Sequence, residues 1–242
     1  TTGTNNVASA PNPAHTFSGV GQYAISLSVT TALGCQDQIT KTATILPYIK
    51  SFPYRESFES ANHGWAAAGL NTNGFNGWTL TSPAGSVINS AANGARAWIT
   101  RDNTIGTYQN NERSVLYSPC FDMTQVQRPV LSLQYWNNTD LRNDGAYIEY
   151  STNNGQSWAV LGGLNQGLEW YNQGAILGLS QQNNVGQSVA QIGWTGDTNG
   201  WTTGKLNMDP RNTDTKLRLR VVFGSNPDNP APLDGFAMDD FV

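Results

Sequence analysis

Charge is what this sequence has least of. Only 12% of its 242 residues are Asp, Glu, Lys or Arg, about half the share of an average soluble domain. Its 13 Lys and Arg are outnumbered by 17 Asp and Glu. A basic surface that displaces counterions from a phosphate backbone is therefore missing, which excludes nucleic acid as a partner. Two Cys and two His leave too few ligands for a zinc site, which takes three or four. No apolar run approaches the roughly 18–20 residues that span a membrane as a helix. No basic segment followed by an apolar one marks a secretory leader, and a chain beginning at Thr1 is expected to be a mature or excised fragment.

Asn, Gly and aromatics are plentiful. The chain has 26 Asn and 25 Gly, with 8 Trp, 9 Tyr and 8 Phe. Asn and Gly serve turns, while Thr and aromatics serve strands. Period-two alternation recurs and helical periodicity is scarce. Tyr23, Ile25, Leu27 and Val29 alternate with Ala24, Ser26 and Ser28; Leu131, Leu133 and Tyr135 with Ser132 and Gln134; Ala146, Ile148 and Tyr150 with Tyr147 and Glu149; and Leu217, Leu219 and Val221 with Arg218 and Arg220. Asn-Gly pairs at 73–74, 76–77, 93–94, 154–155 and 199–200 are the strongest short hairpin signal. The fold class is all-β. A composition break at Leu46–Pro53, with two prolines around a short extended run, predicts a stiff linker over 47–53 between a small module (1–46) and one of sandwich size (54–242).

In the first module, His15-Thr16-Phe17, Gly21-Gln22-Tyr23-Ala24-Ile25-Ser26-Leu27-Ser28-Val29 and Thr42-Ala43-Thr44-Ile45 together resemble the C-terminal half of a PKD domain, an immunoglobulin-like sandwich of microbial surface proteins. The resemblance covers roughly residues 11–46 and lacks the first strands. Either the chain is cut inside this domain or another chain supplies them. The resemblance implies a lost partner for Cys35; a buried structural Cys120, or a Cys35–Cys120 bridge within about 7 Å, are the other readings.

In the second module, Ser57-Phe58-Glu59 opens and Asp239-Asp240-Phe241 closes, and between them lies Asp144-Gly145-Ala146-Tyr147-Ile148-Glu149-Tyr150-Ser151 with Gly155 and Trp158. This order resembles the MAM-like jelly roll related to the cleaved-adhesin domains of gingipains, common in type IX-secreted proteins of Bacteroidota. The resemblance implies an antiparallel jelly-roll sandwich, bound calcium, an adhesive or carbohydrate-binding role, and a place outside the cell on a Gram-negative surface, beside other domains of a larger chain.

Calcium takes six to eight oxygens. First and last strands of a sandwich can pair, so Glu59, Asp239 and Asp240 are the expected metal ligands, with Asp102 and Asn103 as additional ones. Neighbouring Asp side chains on a strand point to opposite faces, so only one ligates directly unless the strand bends. Residues 164–203 form an unusually long Gly-, Asn- and Gln-rich stretch, and its aromatics Trp170, Tyr171, Trp194 and Trp201 are the candidate ligand contacts. Trp65, Trp78, Trp98 and Trp158, beside strand patterns, are expected in the core.

Enzyme signatures are missing. G-x-S-x-G, H-E-x-x-H and alternating strand acids are absent. Glu149 is a lone strand carboxylate expected to pair with an Arg. The expected function is a non-catalytic, calcium-stabilised adhesion or carbohydrate-binding fragment whose partner is a surface glycan or a cell-surface protein. A structural spacer without a ligand, or an accessory domain of a secreted hydrolase, are the alternatives.

Overall fold

A computed structural model describes residues 7–71, 74–102, 106–180, 192–227 and 233–242. The chain divides between Leu46 and Pro47 into two units.

The first unit is an antiparallel hairpin of β1 (Gly21–Thr30) and β2 (Gln36–Ile45). Its register places Tyr23, Ile25, Leu27 and Val29 opposite Ala43, Lys41, Ile39 and Asp37. One face is thus mainly apolar, with Ile25, Leu27, Val29 and Ile39 each about half exposed. The other face is mainly Ser, Thr and Gln, joined across the strands by Ser26 Oγ and Thr40 Oγ1 at 2.7 Å. Period-two alternation gives a ribbon with one side fit to cover a second layer.

The second unit contains β3 (Tyr48–Ile49), β4 (Ala66–Gly69), β5 (Trp78–Thr81), β6 (Ala97–Thr100), β7 (Arg113–Phe121), β8 (Val130–Asn138), β9 (Gly145–Ser151), β10 (Ala159–Val160), β11 (Thr202–Asn207), β12 (Leu217–Gly224) and β13 (Gly235–Asp239). One sheet runs β10-β9-β12-β7-β3, with β4 also on β7; the other runs β11-β8-β13-β6-β5. From β7 onward the chain crosses repeatedly between the sheets, the traffic of a jelly roll. The segment 47–53 is no free linker: Tyr48 and Ile49 pair in parallel with Cys120 and Phe121, because a short apolar run beside an unpaired strand edge completes that edge. Both cysteines are free thiols.

Alternation delivers Leu116, Ile148, Leu219 and Phe223 from one sheet and Leu131, Leu133, Tyr135 and Phe236 from the other into one apolar cluster. The Asn154-Gly155 turn between β9 and β10 has φ of 61° and 84°, the left-handed pair a type I′ hairpin needs. Glu149 and Arg220, cross-strand neighbours on the other face of their sheet, form an ion pair at 2.5 Å with both side chains buried. The Trp158 ring covers the guanidinium at 4.2 Å. Glu149 does pair with an arginine.

Removing one partner leaves a buried charge uncompensated. Glu149→Gln is expected to cost about 3–5 kcal/mol, and a paired replacement of Glu149 and Arg220 by Leu and Met to cost far less. Urea unfolding of both variants checks this.

Candidate functional site

Between β5 and β6 the segment 82–96 lies over the outer face of the five-stranded sheet. Ile88, fully buried, joins Ile99 and Ala237 in a second apolar cluster against which Trp136 and Trp201 pack. Strand alternation puts these residues on the face opposite Trp98, Met238 and Tyr135, which belong to the main core.

Three carboxylates hold this segment. Asp234 accepts hydrogen bonds from the Val87 and Ile88 amides at 2.6 and 2.7 Å and from the Ser86 hydroxyl at 3.2 Å. Asp239 Oδ2 accepts from the Ala92 and Asn93 amides at 3.0 and 3.2 Å. Glu59 Oε1 accepts from the Ala95 and Arg96 amides at 3.0 and 2.8 Å. A side chain at Gly85 would collide with the Asp234 carboxylate, and one at Gly94 with that of Glu59. Each acid therefore meets bare backbone, and Gly94 also carries a φ of 66° that glycine tolerates best. Bonds from amides to ionised carboxylates are roughly twice as strong as neutral ones.

Beside the segment runs a strip of cross-strand pairs along β8 and β11. Trp136 meets Trp201 edge to face, with centroids 6.0 Å apart. Gln134 faces Thr203 and its amide donates to the Thr203 hydroxyl at 2.9 Å. Ser132 faces Lys205. Residues on one strand face recur every ~7 Å, so the strip is about 14 Å long. Both indoles are half-buried. Trp201 Nε1 donates to the Ser90 carbonyl at 3.0 Å, tying the strip to the clamped segment.

The expected residues separate. Glu59 and Asp239 do meet one segment, and opening and closing stretches pair at Glu56 and Phe241. The strand bends at once after Asp239, since Asp240 has φ 45°. No cluster of three or more His, Cys, Asp or Glu fit to hold a metal occurs among the described residues. Asp102 lies beyond the far end of β6 and accepts from the Gln109 side-chain Nε2; Asn103 lies outside the described residues. In donor type, Glu59 and Asp239 suit a calcium ion; in number they need backbone carbonyls to complete it. Burial pushes the Asp239 carboxyl up to about 6, while the Arg96 and Ala95 amides draw exposed Glu59 down.

Three of the four candidate ligand aromatics are core residues. Trp170, Tyr171 and Trp194 are 3%, 4% and 1% exposed and have no face to offer a ligand. Trp170 Nε1 and the Tyr171 hydroxyl donate to the Leu161 carbonyl, and Trp194 Nε1 donates to that of Glu169. Trp194 stacks on Phe236. The described parts of the stretch reach both sheets, since isolated bridges join Trp194 to Ala146 of β9 and Leu168 to Lys205 of β11. Trp201 alone of the four stays at the surface. Trp65, Trp78, Trp98 and Trp158 are buried. His63 accepts from the Trp65 amide and packs on Phe58 and Trp98.

Two further acids, Glu112 and Asp144, are buried. Glu112 accepts from the Ser114 hydroxyl at 2.6 Å and the Gly77 amide at 3.2 Å. Asp144 accepts from the Tyr108 hydroxyl at 2.6 Å and the Asn226 amide at 2.7 Å. Burial pushes Glu112 up to about 7 and Asp144 up to about 6.

No protein-family model matches the chain. Bacillopeptidase F of Bacillus subtilis (strain 168) is 26% identical over 160 residues, which cover 62% of this chain and 11% of that protein. The chain thus spans a small part of the curated relative it matches. Among solved structures, the K2 cleaved adhesin domain of Lys-gingipain is 20% identical, with 78% of this chain and 95% of that chain covered and a TM-score of 0.43. A carbohydrate-binding module from the β-sandwich superfamily is 14% identical, with coverages of 97% and 79% and a TM-score of 0.42. These likenesses are distant, and the functional reading rests on the chain's own residues.

The raised acids set a pH dependence. Unfolded Glu and Asp ionise near ~4, whereas folded Glu112 and Asp144 hold their protons to about 7 and about 6. The folded state therefore binds more protons between these values, and its stability is expected to fall as pH rises from about 4 to 7. Denaturant titrations across that range check this, and Glu112→Gln should flatten the slope.

Proposed function

We propose that the second unit is a non-catalytic carbohydrate-binding module of a secreted or surface-attached protein, used for adhesion, with the outer face of the five-stranded sheet as its binding surface. The Trp136–Trp201, Gln134–Thr203, Ser132–Lys205 strip carries this reading. Sugar rings pair apolar C–H faces with hydroxyl edges. Indole rings suit the first, and amide, hydroxyl and ammonium groups suit the second. The low charge of the chain fits a neutral glycan. The match of this chain to a small part of bacillopeptidase F supports a place as one module of a larger protein, and the amphipathic β1–β2 hairpin fits the expected PKD-type spacer.

The strip predicts its own test. Glycan arrays should show binding that Trp201→Ala and Gln134→Ala each weaken at least tenfold, or about 1.4 kcal/mol. Gln134 is a control that leaves the Ile88 cluster intact. An array without any binding, or binding that both variants leave unchanged, sinks the reading in favour of a spacer.

Calcium belongs to the same proposal. Glu59 and Asp239 would hold it, and its charge would neutralise the buried Asp239 carboxyl beside the 92–96 backbone. A ligand bound by the folded state alone raises the melting temperature. Calcium is therefore expected to raise it over EDTA, and Asp239→Asn to abolish the difference. An unchanged melting temperature would mean that the amides alone hold these acids.

A further inference from the structure

A cavity of about 360 Å³ opens into the second unit between its two sheets. Its floor is Met123, Leu131, Met208, Leu217 and Leu219, all at most 7% exposed. Val126, Arg128 and Val242 stand at its mouth. The volume lies within the roughly 300–1,000 Å³ range of small-molecule sites. Of the polar side chains in the lining, Gln125, Gln127 and Arg128 are exposed and Tyr54 is half-buried, so a sugar placed on the apolar floor would leave hydroxyls unpaired. Smaller dry cavities lined by apolar side chains take up apolar molecules. The two thioethers add a lining that adapts to shape.

The mouth supplies a charge. Arg128 is exposed and stands outside the two salt bridges found among the described residues, Arg211–Asp214 and Glu149–Arg220. Its φ of 50°, immediately before Pro129, is a sparsely populated conformation for a residue with a side chain. Such backbone persists where the surroundings enforce it and gathers at ligand clamps.

We propose that this cavity binds a single-chain amphiphile with an anionic head, its hydrocarbon tail between the sheets and its head at Arg128. The charge at the mouth selects this occupant over an uncharged one. The apolar floor selects an alkyl tail, whose burial strengthens binding by up to about fourfold per methylene.

The three methionines of the chain supply probe and control together. Met123 and Met208 line the cavity, whereas Met238 is buried elsewhere in the core. Spectra of protein labelled with 13C at the methionine methyls should show saturable shifts of Met123 and Met208 on titration with decanoate, while Met238 stays in place. Affinity should climb from hexanoate to octanoate to decanoate. Arg128→Gln should weaken decanoate several-fold and leave decanol unchanged, and Val126→Trp should block both. Because Arg128 is exposed, its variant tests the proposal even if Val126→Trp fails to fold. No saturable shift, equal movement of all three methyls, or a decanoate affinity unmoved by Arg128→Gln would overturn it. So would shifts produced by a peptide with a hydrophobic C-terminal residue and not by decanoate, since the cavity would then dock protein.

Discussion

Carboxylates gripping backbone amides organise the outer face of the five-stranded sheet. Asp234, Asp239 and Glu59 together accept bonds from six amides of the 87–96 stretch. Without them this run of small and polar residues would be held by little more than Ile88 and the Trp201–Ser90 bond. With them, Ile88 is driven into a pocket over Ile99 and Ala237, and the Ser90 carbonyl is set where Trp201 donates to it. The position of the surface indole thus follows from acids that never touch it. In a chain with so few charges, these acids act on backbone, and only two salt bridges occur among the described residues.

The same economy governs the opposite sheet. Glu149 and Arg220 are buried against Trp158 and Tyr117, so the strand acid that most resembles a catalytic carboxylate is held by a cation. Its hydrogen bonds come from the Arg220 guanidinium and the Tyr147 hydroxyl. A carboxylate so paired is poorly placed to move protons, and its environment is that of a specific, rigid contact.

Local pattern reveals strands because alternation is local. The alternating runs 23–29, 131–135, 146–150 and 217–221 all fall within strands, and Asn154-Gly155 makes its turn. Burial of a loop aromatic is not local. Trp170, Tyr171 and Trp194 sit among Gly and Asn, and the carbonyls and rings that fix them include Leu161, Ile148 and Phe236, contacts that spacing does not encode. The missed indole was nevertheless readable. If Leu131, Leu133 and Tyr135 face inward, Trp136 must face outward, and a Trp at an outward position of a regular strand is a surface feature that calls for a partner. Tyr48 and Ile49 show the converse: two prolines suggested a stiff linker, whereas the run between them pairs along an edge of β7.

Reading the acids one by one also confuses two jobs that a carboxylate does equally well. Amide clamps and calcium shells use the same oxygens near loop ends, so Phe-Glu at one end and Asp-Asp-Phe at the other match either. The distinction lies in charge balance. An exposed carboxylate such as Glu59 satisfies two amides and keeps its ordinary hydration, so it gains less from a cation than a buried one does. Asp239 is fully buried, and two loop amides together with the Asp240 amide do not offset the cost of burying its charge, which is why its proton is held to about 6. A cation there would replace that proton. Asp234 is nearly as buried but takes two short amide bonds and a hydroxyl, the better-satisfied shell. A cation would therefore act at the Ala92–Arg96 end of the segment, while the Ser86–Ile88 end stays fixed and keeps Ile88 in place.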